Sequence, residues 1–363
     1  MKSAKIIFTI FILACANTAF AKNSSYQNIA VVGDSISTGA LSNDVTTLDP
    51  DVVWEILEGG KKDKGSDTRS NPTVLKYSKR ELSDPVSWIF KNFLASASSV
   101  YFNSEENSWA SLVAENLGIK GSNVLVAAKN GAKAESSILQ IERILSHTGS
   151  VAPDVLLLLY SGNDLCSQKH LITLPEQYIV SIENSLDYFF KNATPKVSNG
   201  LVVLPAPLNI VQFAKEKNIL NKMVPAFGGQ MSCGELRDRG YRPASGYKPK
   251  NPLSESLAGT FPPTPVMFCP SLFNKSISNS ELLSYIGTTS KAYRIELQKL
   301  ADRMQAKLKA NAYDGFQNWK VVYSSGSDEL IFSDEDVGND CFHLSVKGQK
   351  RLADKVLKDL SHN

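Results

Sequence analysis

The stretch Ile29-Ala30-Val31-Val32-Gly33-Asp34-Ser35-Ile36 opens on four apolar residues with no polar alternation and closes on a Gly-Asp-Ser turn. An apolar run this short and continuous, bounded by glycine, reads as a strand buried on both faces. Four further runs of the same kind follow, at 123–127, 155–159, 201–204 and 321–323. Amphipathic helices separate them. Trp109, Leu112, Val113 and Leu117 mark one, with Ser108 as its cap and Gly118 as its stop. Ile138, Ile141 and Leu145 mark a second, Tyr293, Leu297, Leu300 and Met304 a third, and Leu352, Val356 and Leu360 a last one near the C-terminus. Strands alternating with helices predict a parallel sheet covered on both faces, a three-layer αβα sandwich of the flavodoxin-like kind. In such a sheet the loops that carry chemistry gather at the carboxyl ends of the strands, and Ser35, Gly131 and Asn163 each follow a predicted strand.

A serine hydroxyl attacks only when a base takes its proton and donors receive the oxyanion that forms. Ser35, expected where a strand ends and a helix begins, supplies the hydroxyl and a first backbone N–H. Gly131 offers a second N–H with no Cβ in the way, and the Asn163 side-chain amide a third donor. His343 lies three residues after Asp340, so one turn lets the carboxylate accept from Nδ1–H while Nε2 serves Ser35. Asp334, Glu335 and Asp336 share that segment, and spacing alone admits them as the acid. The other histidines are His147, His170 and His362. Taken singly, a Gly-Asp-Ser turn, a lone glycine or an Asp three residues before a His is an ordinary turn or surface pair. Their joint placement argues for a catalytic set.

In that order and setting the four pieces resemble the SGNH, or GDSL-type, hydrolase family, with Ile36 at the usual leucine position. The chain lacks the Gly-x-Ser-x-Gly elbow of the larger α/β-hydrolase fold. Within the family the blocks LYSGNDLC (159–166), DCFHLS (340–345) and NGAKAE (130–135), with Ser87-Trp88, look like phospholipase B-like members. The resemblance, together with its reach, selects Asp340 as the acid. It implies a carboxylic ester hydrolase of lipase or phospholipase type that works through an acyl-enzyme without a cofactor.

The chain of 363 residues is 42% hydrophobic and 21% charged, with no repeat or low-complexity tract, and reads as one domain over 22–363. Two segments exceed a minimal core, near 41–104 and 205–290. Insertions at strand ends commonly build binding walls or lids, and Trp88 and Phe268 are candidates to line an acyl pocket. At the N-terminus, Lys2 and Lys5 precede an apolar stretch over 6–14, and Ala19-Phe20-Ala21 makes a small-x-small site, which reads as a signal peptide over 1–21. A lipoprotein site at Cys15 ranks second because Leu13 fits it poorly. Losing both lysines takes the formal charge from +3 to +1, no footprint for nucleic acid and little help at an anionic membrane, so any membrane-surface contact would be transient.

Cys166, Cys233, Cys269 and Cys341 then remain, an even number that favours two disulfides in an exported chain and admits three connectivities. Cys166 follows the Asn163 block and Cys341 lies between Asp340 and His343. The expectation is therefore a Cys166–Cys341 bridge across the site, with Cys233 and Cys269 paired inside the second insertion. No Cys-x-x-Cys or His-Glu-x-x-His spacing points to a metal. The reading is an exported esterase acting on phospholipids or lysophospholipids, at a neutral or mildly alkaline pH where an imidazole is a base. Lipid acyl transfer and carbohydrate O-acyl ester hydrolysis use the same chemistry. A lipid- or glycan-binding module on a dead scaffold is disfavoured by the complete set of reactive residues.

Overall fold

All five expected strands form, and they lie in one parallel sheet. The computed structural model describes residues 26–40, 42, 72–75, 105–160, 162–167, 169–226, 229–239, 245–251, 255, 269–274 and 278–362. The strands are β1 (Ile29–Gly33), β2 (Thr73–Val74), β3 (Val124–Val126), β4 (Val155–Leu159), β5 (Leu201–Pro205), β6 (Met223–Ala226), β7 (Gly229–Ser232) and β8 (Lys320–Ser324). The large sheet runs β2-β3-β1-β4-β5-β8, all pairs parallel, while β6 and β7 form a separate antiparallel hairpin. Without the two-residue edge strand β2, this is the doubly wound order in which the first strand sits between the second and the third. Every residue of β1, β4 and β5 is buried, as a sheet covered on both faces requires.

The helices that cover it are α1 (Trp109–Asn116), α2 (Ser137–Thr148), α3 (Pro175–Asn192), α5 (Ser280–Lys309) and α6 (Val346–Ser361), while α4 (Cys233–Arg239) packs on β7 of the hairpin. Helix α1 packs on α6, α2 on α3 and α3 on α5. Ser108 caps α1 by accepting from Ser111 N, and the chain turns out of the helix through Gly118 at φ +76°. The predicted stripes are the buried faces: Tyr293, Leu297, Leu300 and Met304 on α5, and Leu352, Val356 and Leu360 on α6. Each such side chain contributes about 1.5–3 kcal/mol by leaving water. No described helix is long and apolar enough to cross a membrane.

One local expectation fails. After β1 the chain enters a knot of turns over 34–39 instead of a helix. Ser37 N and Thr38 N both donate to Asp34 O, and Ala40 N reaches back to Ser35 O. The Asp34 carboxylate accepts from Ile36 N at 3.0 Å, and the Thr38 hydroxyl donates to Ser35 O at 3.0 Å. Short polar side chains that bond nearby backbone compete with a helical ladder, and Gly39 at φ +65° turns the chain away. Of the first insertion, Ser42 and residues 72–75 are described, and the latter supply β2. The signal-peptide stretch, Cys15, Trp88 and Phe268 lie outside the described residues.

Candidate active site

Register places the loops that follow β1, β3 and β4 at one edge. Gly33 pairs with Leu159 and Val31 with Val126, so β1 and β4 end level and β3 ends two residues short of them. At the end of β1 the backbone approaches β4 so closely that a Cβ on Gly33 would lie 2.4 Å from Leu159 O and from Ser37 Oγ. Gln140 of α2 then grips Gly33 from both sides. Its Oε1 accepts from Gly33 N at 2.8 Å and its Nε2 donates to Gly33 O at 3.0 Å. Gln349 of α6 acts likewise on the next turn, donating to Ile36 O at 3.1 Å while accepting from Trp109 N at 2.9 Å. Both glutamines are buried, so their amides complete backbone groups that have no water to turn to.

Ser35, held in this turn, is met by the loop that precedes α6. Ser35 Oγ lies 2.9 Å from His343 Nε2, and His343 Nδ1 lies 2.5 Å from Asp340 Oδ2. All three side chains are buried. The Asp340 Oδ1 atom accepts from Phe342 N at 3.2 Å and from His343 N at 3.0 Å, which fixes the carboxylate against its own turn. Cys341 between them adopts φ +66°, the left-handed conformation that lets the turn fold back on Asp340. The other acids of the segment are occupied elsewhere or exposed: Asp336 pairs with Arg351 and Ser333, and Glu335 with Lys347.

Gly131 and Asn163 are tied to the same edge. Lys129 N donates to Gly33 O, Ala132 N to Lys129 O, and Gly131 takes φ +77° at the third position of that turn, where glycine is favoured. The Thr38 hydroxyl also lies 2.7 Å from the Asn130 side-chain amide, linking the turn after β1 to the Gly131 loop. Asn163 Nδ2 donates to Ala132 O at 3.0 Å, which leaves the second amide hydrogen for another acceptor. Two buried acids that the sequence reading passed over steady these loops. Asp34 Oδ2 accepts from Gly162 N at 3.3 Å, and Asp164 accepts from Ala134 N at 3.1 Å. Burial pushes the Asp164 carboxyl up to about 7, against hydrogen bonds from Thr173 and Ala134 that lower it and with nearby Asp34 raising it.

The disulfides correct the expected pairing. Cys166 bridges Cys269, and Cys233 bridges Cys341. The space between the Asn163 and His343 loops is already filled by Phe342, whose ring would lie 3.4 Å from a Cβ on Gly162 and which packs edge-on against Phe213 and Phe273. Each loop is instead stapled to the second insertion, the first at the residue before the one-turn helix Pro270–Phe273, the second at the start of α4.

The GDSL-like lipase/acylhydrolase family matches the chain over residues 29–356. Among solved structures, the chain is similar to a carbohydrate esterase at 8% identity and TM-score 0.37, over 93% of this chain and 69% of that one. It is similar to the aryl esterase of M. smegmatis at 10% identity and TM-score 0.37, covering 93% and 99%. It is similar also to an extracellular lipase of Streptomyces rimosus at 10% identity and TM-score 0.36, covering 92% and 98%. No curated protein matches the chain.

Proposed function

This chain belongs to the GDSL-like lipase/acylhydrolase family and is a carboxylic ester hydrolase, and from that premise we propose that Ser35 is its nucleophile, His343 its base and Asp340 the acid that orients the base. The observation that carries the assignment is the unbroken relay of Asp340 Oδ2 to His343 Nδ1 at 2.5 Å and His343 Nε2 to Ser35 Oγ at 2.9 Å. In the reading, Ser35 Oγ attacks the ester carbonyl carbon while its proton passes to Nε2. The oxyanion is received by the backbone N–H groups of Ser35 and Gly131 and by the Asn163 amide. Collapse breaks the bond to the alcohol, which leaves with the proton from Nε2. Water, deprotonated in turn by His343, then attacks the acyl-enzyme and releases the acid.

The substrate we propose is a monoacyl glycerophospholipid or a comparable ester with a medium or longer acyl chain. Support comes from the LYSGNDLC, NGAKAE and DCFHLS blocks, which resemble phospholipase B-like members. Each methylene that an acyl site buries stabilises binding by about 0.8 kcal/mol, so chain length is a direct probe. The signal-like N-terminus and two disulfides support export. Labelling with a fluorophosphonate, followed by peptide mapping, is expected to find the adduct on Ser35 and to find none in Ser35→Ala. A panel of nitrophenyl acetate, a medium-chain ester and a lysophospholipid tests the substrate. Strong preference for acetate with no fatty acid released from the lysophospholipid would replace this reading with carbohydrate O-acyl ester hydrolysis, and acyl transfer to an added alcohol would mark an acyltransferase.

A further inference from the structure

The loop that carries Asp340 and His343 hangs well beyond β8. From the end of that strand at Ser324 to Asp340, the regular structure among the described residues is a single 3-10 turn, Asp334–Asp336. Its two arms pair locally: Val337 bridges Leu344 antiparallel, Gly338 N donates to His343 O at 2.7 Å, and Ser345 N donates to Asp336 O at 2.9 Å. Local pairing fixes the shape of the tip but not its position over Ser35.

The start of α6 holds part of the loop, through Arg351 on Asp336 and on Ile331 O and through Val346 N on Ser42 O, and the second insertion holds the rest. Gln212 donates to Leu330 O at 2.8 Å and accepts from Phe332 N at 3.0 Å, and the Phe213 ring packs on Phe332 and Phe342. Asn218 donates to Phe332 O at 3.3 Å. The Lys222 ammonium donates to Asp334 O at 3.0 Å and also to Val337 O, gripping one arm of the tip directly. Cys233 is bonded to Cys341, inside the tip itself. Lys222 and Cys233 close the base of the β6–β7 hairpin, where Cys233 N donates to Lys222 O at 2.9 Å. One cross-strand pair therefore delivers a hydrogen-bond clamp to the arm and a covalent tie to the tip.

We infer that the base of the β6–β7 hairpin is a brace that sets His343 over Ser35, with Lys222 its positioning residue and the Cys233–Cys341 bridge its covalent half. The inference rests on the assignment of Ser35 and His343 made above. It gives the second insertion a role in the chemical step, where insertions of this kind are otherwise expected to shape substrate binding. A displaced base loses rate much faster than it loses substrate affinity, because a shift of about 1 Å in a reacting group can cost on the order of 10²-fold in rate.

The test compares kcat and KM for a soluble nitrophenyl ester in the full-length protein and in Lys222→Ala, Lys222→Arg, Met223→Ala and Ser35→Ala, with thermal melts to establish folding. Lys222→Ala is expected to lose about 10-fold or more in kcat with KM within about 2-fold of wild type, since the brace acts on geometry and not on substrate contact. Lys222→Arg, which keeps donors for both carbonyls, is expected to recover most of kcat. Met223→Ala, a change at the exposed residue that opens β6 next to Lys222, is expected to leave both constants unchanged. A folded Lys222→Ala protein with wild-type kcat overturns the brace, as does a loss that falls on KM alone. If Lys222→Ala does not fold, Cys233→Ser/Cys341→Ser with the Cys166–Cys269 bridge retained decides: reduced kcat at unchanged KM supports the brace, and wild-type kcat overturns it. An active Ser35→Ala protein would instead bring down the catalytic assignment, whereas an inactive Ser35→Ala beside a wild-type-like Lys222→Ala would bring down the brace alone.

Discussion

The two halves of the site are held by different means. Ser35, Gly131 and Asn163 stand at the ends of β1, β3 and β4, where register brings them to one edge, and the fine adjustment comes from Gln140, Gln349, Asp34 and Asp164. Asp340 and His343 stand on a loop that no strand positions, steadied by residues from an insertion more than a hundred positions away in sequence. The parallel sheet thus provides the proposed nucleophile and donors as a consequence of topology, while the proposed base has to be brought in and fastened. Damage to the buried supports of the first half is expected to appear in stability as well as rate, and damage to the supports of the second chiefly in rate.

The largest effects test whether the halves act as one unit. Ser35→Ala and His343→Ala are each expected to lower kcat by about 10³-fold or more, with the double variant no worse than either single one. Additive losses, measured in the same esterase assay, would separate the halves. Next comes Asn163→Ala, expected to cost roughly 10²-fold in kcat with an unchanged melting temperature, as for the loss of one oxyanion donor. Retained turnover would return Asn163 to the status of a loop residue that bonds Ala132.

Stability should then distinguish the supports. Gln140→Ala strands the N–H of Gly33 in the core, while its C=O keeps the bond from Lys129 N, and is expected to cost about 2–3 kcal/mol in urea unfolding. Lys222→Ala removes partly exposed hydrogen bonds and is expected to cost about 1 kcal/mol or less. Equal costs would erase the contrast drawn above. The smallest effect concerns Asp164, whose carboxyl stands at about 7 in the fold against an ordinary 3.8. A carboxyl raised on folding contributes stability that is fully present below its unfolded value and is lost as pH rises through its folded value. The melting temperature of Asp164→Asn should therefore gain on wild type as pH climbs from about 4 to about 7, on top of any constant offset from altered hydrogen bonds. A difference that does not move with pH would show that the buried acid is not charging in this range.

How much of this was readable in advance follows the same division. The strands announced themselves as unalternating apolar runs, and a sheet of that kind dictates where Ser35, Gly131 and Asn163 must gather. The Asp340–His343 spacing was enough to predict their contact, because one turn spans it. Cysteine pairing was not readable, since it depends on which loops the insertion reaches, and adjacency to the site in sequence suggested a bridge where Phe342 sits instead. Helix α3 and the β6–β7 hairpin lie outside the sequence expectations, and turns stand where a helix is expected after β1, because local hydrogen bonding by Asp34 and Thr38 leaves no periodic trace. A signal for the glutamines did exist. Gln140 interrupts the stripe of Ile141 and Ile144, and Gln349 stands in line with Leu352 and Val356, where a polar residue must be meeting a buried backbone group.

The place of Gln349 also bears on when the protein becomes active during its manufacture. Its amide joins Ile36 to Trp109, and His343 lies six residues before it. A chain in which β1, β3 and β4 have paired but α6 has not docked holds Ser35 without the amide that secures the turn beneath it. Docking of α6 brings that amide and His343 to the turn together, so on the roles proposed above competence arrives in one step.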